Sequence, residues 1–234
     1  MDQKFLANTS LFQGIPEREM GEALACLGAR EIRRRRDELI LRAGDAATEF
    51  GLVVSGSVNA VVSFYWGQRH IFGHIGRGDI FGFNYAAAPN RELLCDVVAA
   101  EDTEALMLGA ARLLAADANG CPFHRRLVHN LLRIMAVKNL NLSARMRHMA
   151  PKGIRDRLLS YLSEQAREHG GPRFAVPFFS HQQLADYLGV DRSALSKDLG
   201  RMQRDGLLSY RKNEFTPTAR AAWAKFMPPR TSST

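Results

Sequence analysis

The spacing of apolar residues changes along the chain, and each change predicts a different kind of element. In residues 1–30, Leu11 and Phe12 precede Met20, Leu24 and Leu27, which recur at helical spacing, so the chain opens with a short helical region. From Ile32 to about Leu108 the apolar runs shorten to strand length: ELILRA, FGLVV, SVNAVVSF, HIFGHI, CDVVAA and EALML. Gly44, Gly51, Gly56, Gly67, Gly76, Gly78 and Gly82 punctuate them. Short strands at close spacing with glycine turns predict an antiparallel sandwich or barrel. The basic run Arg33–Arg36 fits a solvated strand edge, where charge blocks wrong pairing; the alternative is a nucleic-acid contact.

From Pro122 to about Met149 the period becomes that of a long helix without internal Pro or Gly. Val128, Leu132, Met135, Asn139, Leu142, Met146 and Met149 step alternately by four and three. All but Asn139 are apolar, which makes a heptad seam. A lone seam Asn fixes register and pairing at a cost in stability. So long a seam predicts a second copy along its length, hence a homodimer; the alternative is one amphipathic helix lying on its own sheet. Pro151 breaks this helix, and GIRDRLLSYLSEQAREH forms the next. RFAVPFF then reads as a strand or extended connector.

The stretch SHQQLADYLGVDRSALSKDLGRMQRDGLLSYRKNEF reads as two short helices and a hairpin. Ser180 is an N-cap with Gln183 at the capping-box position. Ala185, Gly189 and Leu195 have the spacing of a helix-turn-helix: a small residue for close approach, a glycine for the sharp turn, an apolar residue to bury. Asp191 caps the second helix. With Leu184, Leu188, Leu195, Leu199 and Met202 inward, Arg192, Ser193, Ser196, Lys197 and Arg201 are left on the open side. A recognition helix enters the major groove of double-stranded DNA with its N-terminal residues at base edges. Arginine can hold guanine O6 and N7 with two donors, and Lys197, Arg201 and Arg204 suit phosphates. The strands LLSYR and FTPT about the turn KNE form a wing.

Charge sharpens this reading. The 234-residue chain carries a net +8, and residues 151–234 hold fourteen Lys and Arg against eight Asp and Glu, so +6 of the +8 lies there. A basic C-terminal end points to a polyanion, most simply nucleic acid. Three cysteines, Cys26, Cys95 and Cys121, show no paired spacing, so neither a disulfide framework nor a metal motif is predicted, and Cys26 and Cys95 read as core residues. His70 and His74 share a strand face but stand about 13 Å apart at strand rise, too far to share one metal ion. No nucleophile–base pairing, phosphate-binding loop or metal-ligand cluster is legible, so an enzyme is not expected. With neither a signal peptide nor a membrane-length apolar run, a cytoplasmic protein without membrane association is expected.

The order of glycine-rich β region, heptad helix and winged helix-turn-helix resembles the Crp/Fnr family, the cyclic-AMP receptor protein and its relatives. The segments SGSVNAVV, GRGDIFGF, GIRDRLLSYL and LADYLGVDRSALSKDLGRMQRDGLL carry the resemblance, which covers nearly the whole chain. It implies an α+β fold: a jelly-roll-like β-roll sensor over 1–121, a long dimerisation helix over 122–150, and a winged helix-turn-helix over 151–230. It implies a homodimeric, sequence-specific transcription regulator controlled by a small-molecule effector, with RNA polymerase as a partner if it activates. Arg192 and Lys197 fall at the family's base- and phosphate-reading positions, and Ser193 replaces a glutamate of the cyclic-AMP receptor protein. The resemblance also implies that Lys138 and Asn139 stand where relatives reach the ligand from the long helix. Cys121-Pro122 is a dipeptide seen at some haem-regulated sites, so a haem-, nitric oxide- or redox-sensing regulator is the alternative. The cysteines do not match the four-cysteine iron–sulfur arrangement of the oxygen-sensing branch.

The sensor departs from the family's cyclic-nucleotide pattern. Phe83 follows Gly82 where a ribose-binding glutamate stands, and Leu93 and Leu94 occupy the Arg-Ser positions that take the phosphate; a register shift toward Arg91 is the alternative. A phosphate desolvated against leucines costs roughly several kcal/mol. Phe83, Asn84 and Tyr85 either line a small apolar effector pocket or pack as ordinary core. Cyclic AMP and cyclic GMP are expected not to bind at micromolar concentration, which calorimetric titration checks; measurable micromolar heats would revive the Arg91 register.

Overall fold

Strands that are apolar on both faces through their middle must be covered on both sides, and the first part of the chain is organised around two of them. The computed structural model describes residues 2–63, 69–88, 90–115, 121–169, 173–176 and 180–218, without the side chains of Arg69 and His70. It divides into two compact units, Met1–Val137 and Lys138–Thr234. The expected partition at 121 and 150 treats the long helix as its own segment; compactness instead splits that helix between the units.

The first unit opens with α1 (Gln3–Ala7), a 3-10 turn at Glu17–Glu19 and α2 (Met20–Leu27). Eight strands follow: β1 (Arg30–Arg34), β2 (Leu39–Leu41), β3 (Glu49–Ser55), β4 (Val58–Ser63), β5 (Arg69–Ile75), β6 (Ile80–Phe81), β7 (Asp96–Ala99) and β8 (Thr103–Gly109). Between β6 and β7 lies α3 (Phe83–Ala86), and α4 (Ala110–Leu114) and the start of α5 (His124–Met149) complete the unit's elements. The strands form two antiparallel four-stranded sheets, ordered β1-β8-β3-β6 and β2-β7-β4-β5. The basic run begins on β1, at a sheet edge as expected, with Arg33 paired to Glu104 at 3.0 Å.

Side-chain alternation on β3 and β8 feeds two separate cores. Val53, Ala105 and Met107 face inward with Val58, Phe81 and Val97, filling the space between the sheets. Phe50, Leu52, Leu106 and Leu108 face the other way and carry the helices, through Leu6, Met20, Leu27, Leu113, Phe123, Leu127 and Leu131. The start of the long helix is thus part of the sensor core. Gly51 leaves room for the Phe81 ring, which would stand 1.9 Å from a Cβ there.

A bulge in β5 alters one expectation. Ala60 pairs with Gly73 and Val61 with Ile71, so Phe72 is an extra residue. The bulge breaks the alternation on which a shared face for His70 and His74 rests. His74 Nδ1 lies 2.8 Å from Asn59 Oδ1, while the His70 side chain is outside the described residues.

The second unit contains the end of α5, then α6 (Ile154–His169), β9 (Phe174–Ala175), α7 (His181–Leu188), α8 (Arg192–Arg204), β10 (Leu208–Arg211) and β11 (Glu214–Pro217). Its core gathers Leu158, Leu162, Phe174, Leu184, Leu188, Leu195, Leu199, Met202 and Phe215. The hairpin β10–β11 is joined by β9 in a three-stranded antiparallel sheet. The connector Pro177–Phe179 and residues 219–230 of the expected DNA-binding domain lie outside the described residues.

The last turns of α5 are tied into this unit by polar contacts. His148 is buried, with Nδ1 3.0 Å from the Ser160 hydroxyl and Nε2 2.8 Å from Glu164. Burial lowers its pKa against the pull of Glu164. A neutral ring fits both partners, donating from Nε2 to the carboxylate and accepting the Ser160 hydroxyl at Nδ1.

Turn geometry in the first unit gives a direct stability test. Gly56 joins β3 to β4 at φ 76°, and a Cβ there would stand 2.4 Å from the Asp102 carbonyl. Beside it, the Thr103 hydroxyl accepts from the Ser57 amide and lies within donating distance of the Ser57 carbonyl, so the turn cannot shift freely. Gly56→Ala is expected to cost roughly 1–3 kcal/mol, read as a lower urea midpoint at unchanged slope.

Candidate functional site

The exposed side of α8 exists because its other side is fully committed. Leu195, Leu199 and Met202 are buried against Leu184, Ala185 and Leu188 of α7. Gly189 closes α7 in the left-handed region, φ 63°, where a Cβ would press on Met149. Ser180 caps α7, accepting the Gln183 amide at 3.3 Å. Asp191 caps α8 and accepts the Ala194 amide at 2.9 Å. The Ser193 hydroxyl also donates to Asp191, and these two bonds hold the Asp191 carboxyl below its usual range.

These contacts sort the predicted readers. Arg192 at the first helical position, Lys197 and Arg201 are exposed, joined by Arg204. Arg201 lies 3.6 Å from Asp198 on its own helix, a surface pair that a phosphate can displace at little cost. Ser193 is exposed but occupied in the cap. Ser196 is half-buried, its hydroxyl 3.2 Å from His181 Nδ1, so it braces α7 against α8. Ser180 is exposed at the start of α7.

Sequence reasoning passed over the clamp that positions this motif. Arg145, near the end of α5, donates to the carbonyls of Tyr187 at 2.9 Å and Asp186 at 2.8 Å. Arg157 of α6 donates to Pro151 at 2.7 Å, Leu188 at 3.0 Å and Gly189 at 3.2 Å. Two guanidinium groups therefore satisfy the open carbonyl end of α7, where positive charge is favoured. Their i to i+4 surroundings read as an ordinary charged helix face, so no local signal marked them. Lys212 was also missed as a wing-tip cation: it is exposed in the hairpin turn at φ 56°.

On α5 the predicted seam divides. Leu132, Leu142 and Met146 are 64%, 54% and 66% exposed, and Asn139 is exposed among them. Val137 and Leu140, outside the predicted seam, are exposed as well. Val128 and Met135 are half-buried instead and pack on the first unit's core, because the helix start is part of that core. Lys138, like Asn139, is exposed on this helix, in the second unit.

The sensor residues also separate. Phe83 is buried edge-on against Phe50, ring centroids 5.1 Å apart, so it packs the core. Asn84 is exposed and Tyr85 half-buried on the short α3. Leu93 is buried, its backbone bonded to Gly44 and Asp45, whereas Leu94 is 77% exposed. Of the two leucines at the expected phosphate position, only Leu93 is inside. Cys95 is buried as expected; Cys26 and Cys121 are only half-buried, both against the first unit's apolar cluster. No cluster of three metal-ligating side chains occurs among the described residues. No described helix is long and apolar enough to cross a membrane.

Two family models match the chain: a cyclic nucleotide-binding domain over residues 31–118 and a Crp-like helix-turn-helix domain over residues 156–222. Among curated proteins, electron transport regulator A of Shewanella oneidensis is 21% identical over 178 residues, 74% of this chain and 69% of that protein. The structure of FixK2 from Bradyrhizobium japonicum is similar at 20% identity and TM-score 0.56, covering 87% of this chain and 99% of that one. The c-di-GMP responsive global regulator CLP of Xanthomonas campestris is similar at 19% identity and TM-score 0.62, covering 87% of this chain and all of that one. At such identities the solved structures speak for the fold, and the two matched models speak for the parts. A sensor and a DNA reader of these kinds, in this order on one chain, make the protein a transcription regulator of the Crp/Fnr family.

Proposed function

We propose that the protein binds a symmetric DNA operator as a homodimer and that an effector other than a cyclic nucleotide sets its affinity. The observation that carries the reading is the open basic side of α8, where Arg192, Lys197, Arg201 and Arg204 are exposed above a fully buried opposite side. Arg192 reads a base edge from the first turn, and Lys197, Arg201 and Arg204 meet phosphates. Lys212 at the wing tip adds a backbone contact. Dimerisation is supported by α5, where the seam residues Leu132, Leu142 and Met146 are exposed on one side with Asn139 among them, an apolar stripe that a second copy would cover. RNA polymerase is the further partner if the protein activates.

The sensor reading rests on chemistry at the expected nucleotide position. Phe83 is committed to packing and Leu93 is buried, so neither offers a hydrogen bond to a ribose or a phosphate. Within the first unit Asn84 and Tyr85 are polar groups able to meet an effector. An effector acts here by binding one arrangement of the dimer better than another.

Arg192→Ala is expected to lose about 1–3 kcal/mol of sequence discrimination while the protein stays folded. Lys197→Ala is expected to weaken binding evenly across sequences and to lower the salt slope by about 1. Fluorescence anisotropy against duplexes selected from a random library, over a salt series, checks both. An Arg192→Ala protein with unchanged affinity and preference would remove α8 as the reader.

Asn139→Leu is expected to tighten the dimer by about an order of magnitude, because a polar seam residue gives up stability for register. Sedimentation equilibrium measures the dimer constant, and operator affinity is read beside it. If Asn139 also serves the switch, the variant's operator affinity becomes insensitive to effector. A tighter dimer with full effector response would leave Asn139 as a register device alone.

A further inference from the structure

Ser196 stands four positions after Arg192, so the two share one stripe of α8. A serine hydroxyl carries one hydrogen and two lone pairs, and whichever the protein uses decides what is left for a ligand. Among the described residues this hydroxyl bonds only His181, with 3.2 Å between Ser196 Oγ and His181 Nδ1. His181 is the first residue of α7. Its ring leans on Tyr210 of β10, centroids 5.7 Å apart, and Tyr210 stacks on the buried Phe215 at 5.8 Å. The imidazole is therefore held between the reader helix and the wing, with Nδ1 turned to Ser196. His181 and Ser196 are both half-buried rather than enclosed, so neither is sealed off from a ligand.

We propose that His181 is a specificity-determining positioning residue of the DNA reader: it takes the Ser196 hydrogen and leaves Ser196 as a hydrogen-bond acceptor toward the major groove. The proposal rests on α8 being the reader, as above. A neutral imidazole has one bare nitrogen, and the bare one accepts. Nδ1 is the ring nitrogen nearer the backbone. At the first position of a helix the free amide N–H groups and the positive end of the helix dipole lie close by. A lone pair is favoured there over a second N–H, as it is for the neighbouring Ser180 Oγ, which accepts the Gln183 amide. The shared hydrogen thus belongs to Ser196, Nε2 keeps the ring's own hydrogen, and Ser196 has only lone pairs left to offer.

In the major groove the groups that donate to a lone pair are the adenine N6 and cytosine N4 amino groups. Arg192 donates to a base and Ser196, one turn further along α8, accepts from one, so successive turns of the helix read opposite chemistry. Without His181 the hydroxyl turns freely, offers its hydrogen as readily as its lone pairs, and loses the distinction.

The test uses the full chain and the duplex that it selects from a random library. R192A, S196A, H181F, H181A and H181N are compared with the parent by fluorescence anisotropy on single-base variants of that duplex. S196A is expected to relax one base pair, different from the pair relaxed by R192A. At that pair, purine in place of adenine, or pyrimidin-2-one in place of cytosine, deletes the amino group alone. This deletion is expected to weaken the parent about fivefold and S196A hardly at all. H181F and H181A both lack the acceptor, the first keeping a ring against Tyr210, and are expected to respond as S196A does. H181N sets a carbonyl oxygen close to the place of Nδ1 and is expected to restore the parent's response. Equal weakening of parent and S196A by the amino deletion would overturn the proposal. So would a loss that follows 7-deazapurine instead, which removes an acceptor and would mean that Ser196 donates. H181F and H181A that weaken all sequences evenly while keeping the amino response would make His181 a brace only, which also overturns it. If S196A relaxes no pair while R192A relaxes its own, the proposal fails and α8 remains the reader. If R192A relaxes none either, or no duplex is selected, the reading of α8 fails with it.

Discussion

The pairing of β3 with β8 is the constraint on which the first unit depends. Both strands are apolar on both faces, so the sheet they share cannot present either face to water. One face closes the roll against β4 and β7 through Val53, Met107, Val58 and Val97. The other collects α2, α4 and the first turns of α5 through Phe50, Leu52, Leu106 and Leu108. A sheet buried on one side only would have made a sandwich with no claim on the long helix. Here the helix is rooted in the first unit because Leu127 and Leu131 complete that outer core.

The second unit solves a different problem. A short helix-turn-helix buries little apolar area, and α7 and α8 spend one face each on the other. The remaining need is to hold the carbonyl end of α7, and Arg145 and Arg157 do this from two different helices. Charge-assisted bonds to several carbonyls fix direction as well as distance. The orientation of α7 and α8 is therefore set by α5 and α6, and on the basic side of α8 the contacts among the described residues are the Ser193 cap, the Ser196 brace and the Arg201–Asp198 pair.

The polar residues of α5 mark where its two roles meet. Toward its start Asn130 is buried and donates to the carbonyls of Leu11 and Gln13, which binds the N-terminal segment to the helix. Toward its end His148 is buried against Ser160 and Glu164. Between them the seam residues Leu132, Leu142 and Met146 are exposed among the described residues. One helix thus carries sensor packing, an uncovered apolar stripe and the fixing of the DNA reader, in that order along its length.

Much of this was legible from local pattern. Strand runs, the heptad helix, Ser180 and Asp191 as caps, Gly189 as the turn and the wing hairpin each depend on residues a few positions apart, so sequence alone determined them. The charge excess of the C-terminal third and the exposed Arg192 and Lys197 followed from the same short-range logic. Only tertiary structure decided what depends on distant neighbours. It took Phe83 into the core against Phe50, turned Leu94 outward while burying Leu93, and drew Val128 and Met135 off the free seam. It also set Arg145 against the carbonyl end of α7. Periodicity says which face of an element is apolar; it is silent on which other element will cover that face, because that choice is made by sheet closure and packing across the whole chain.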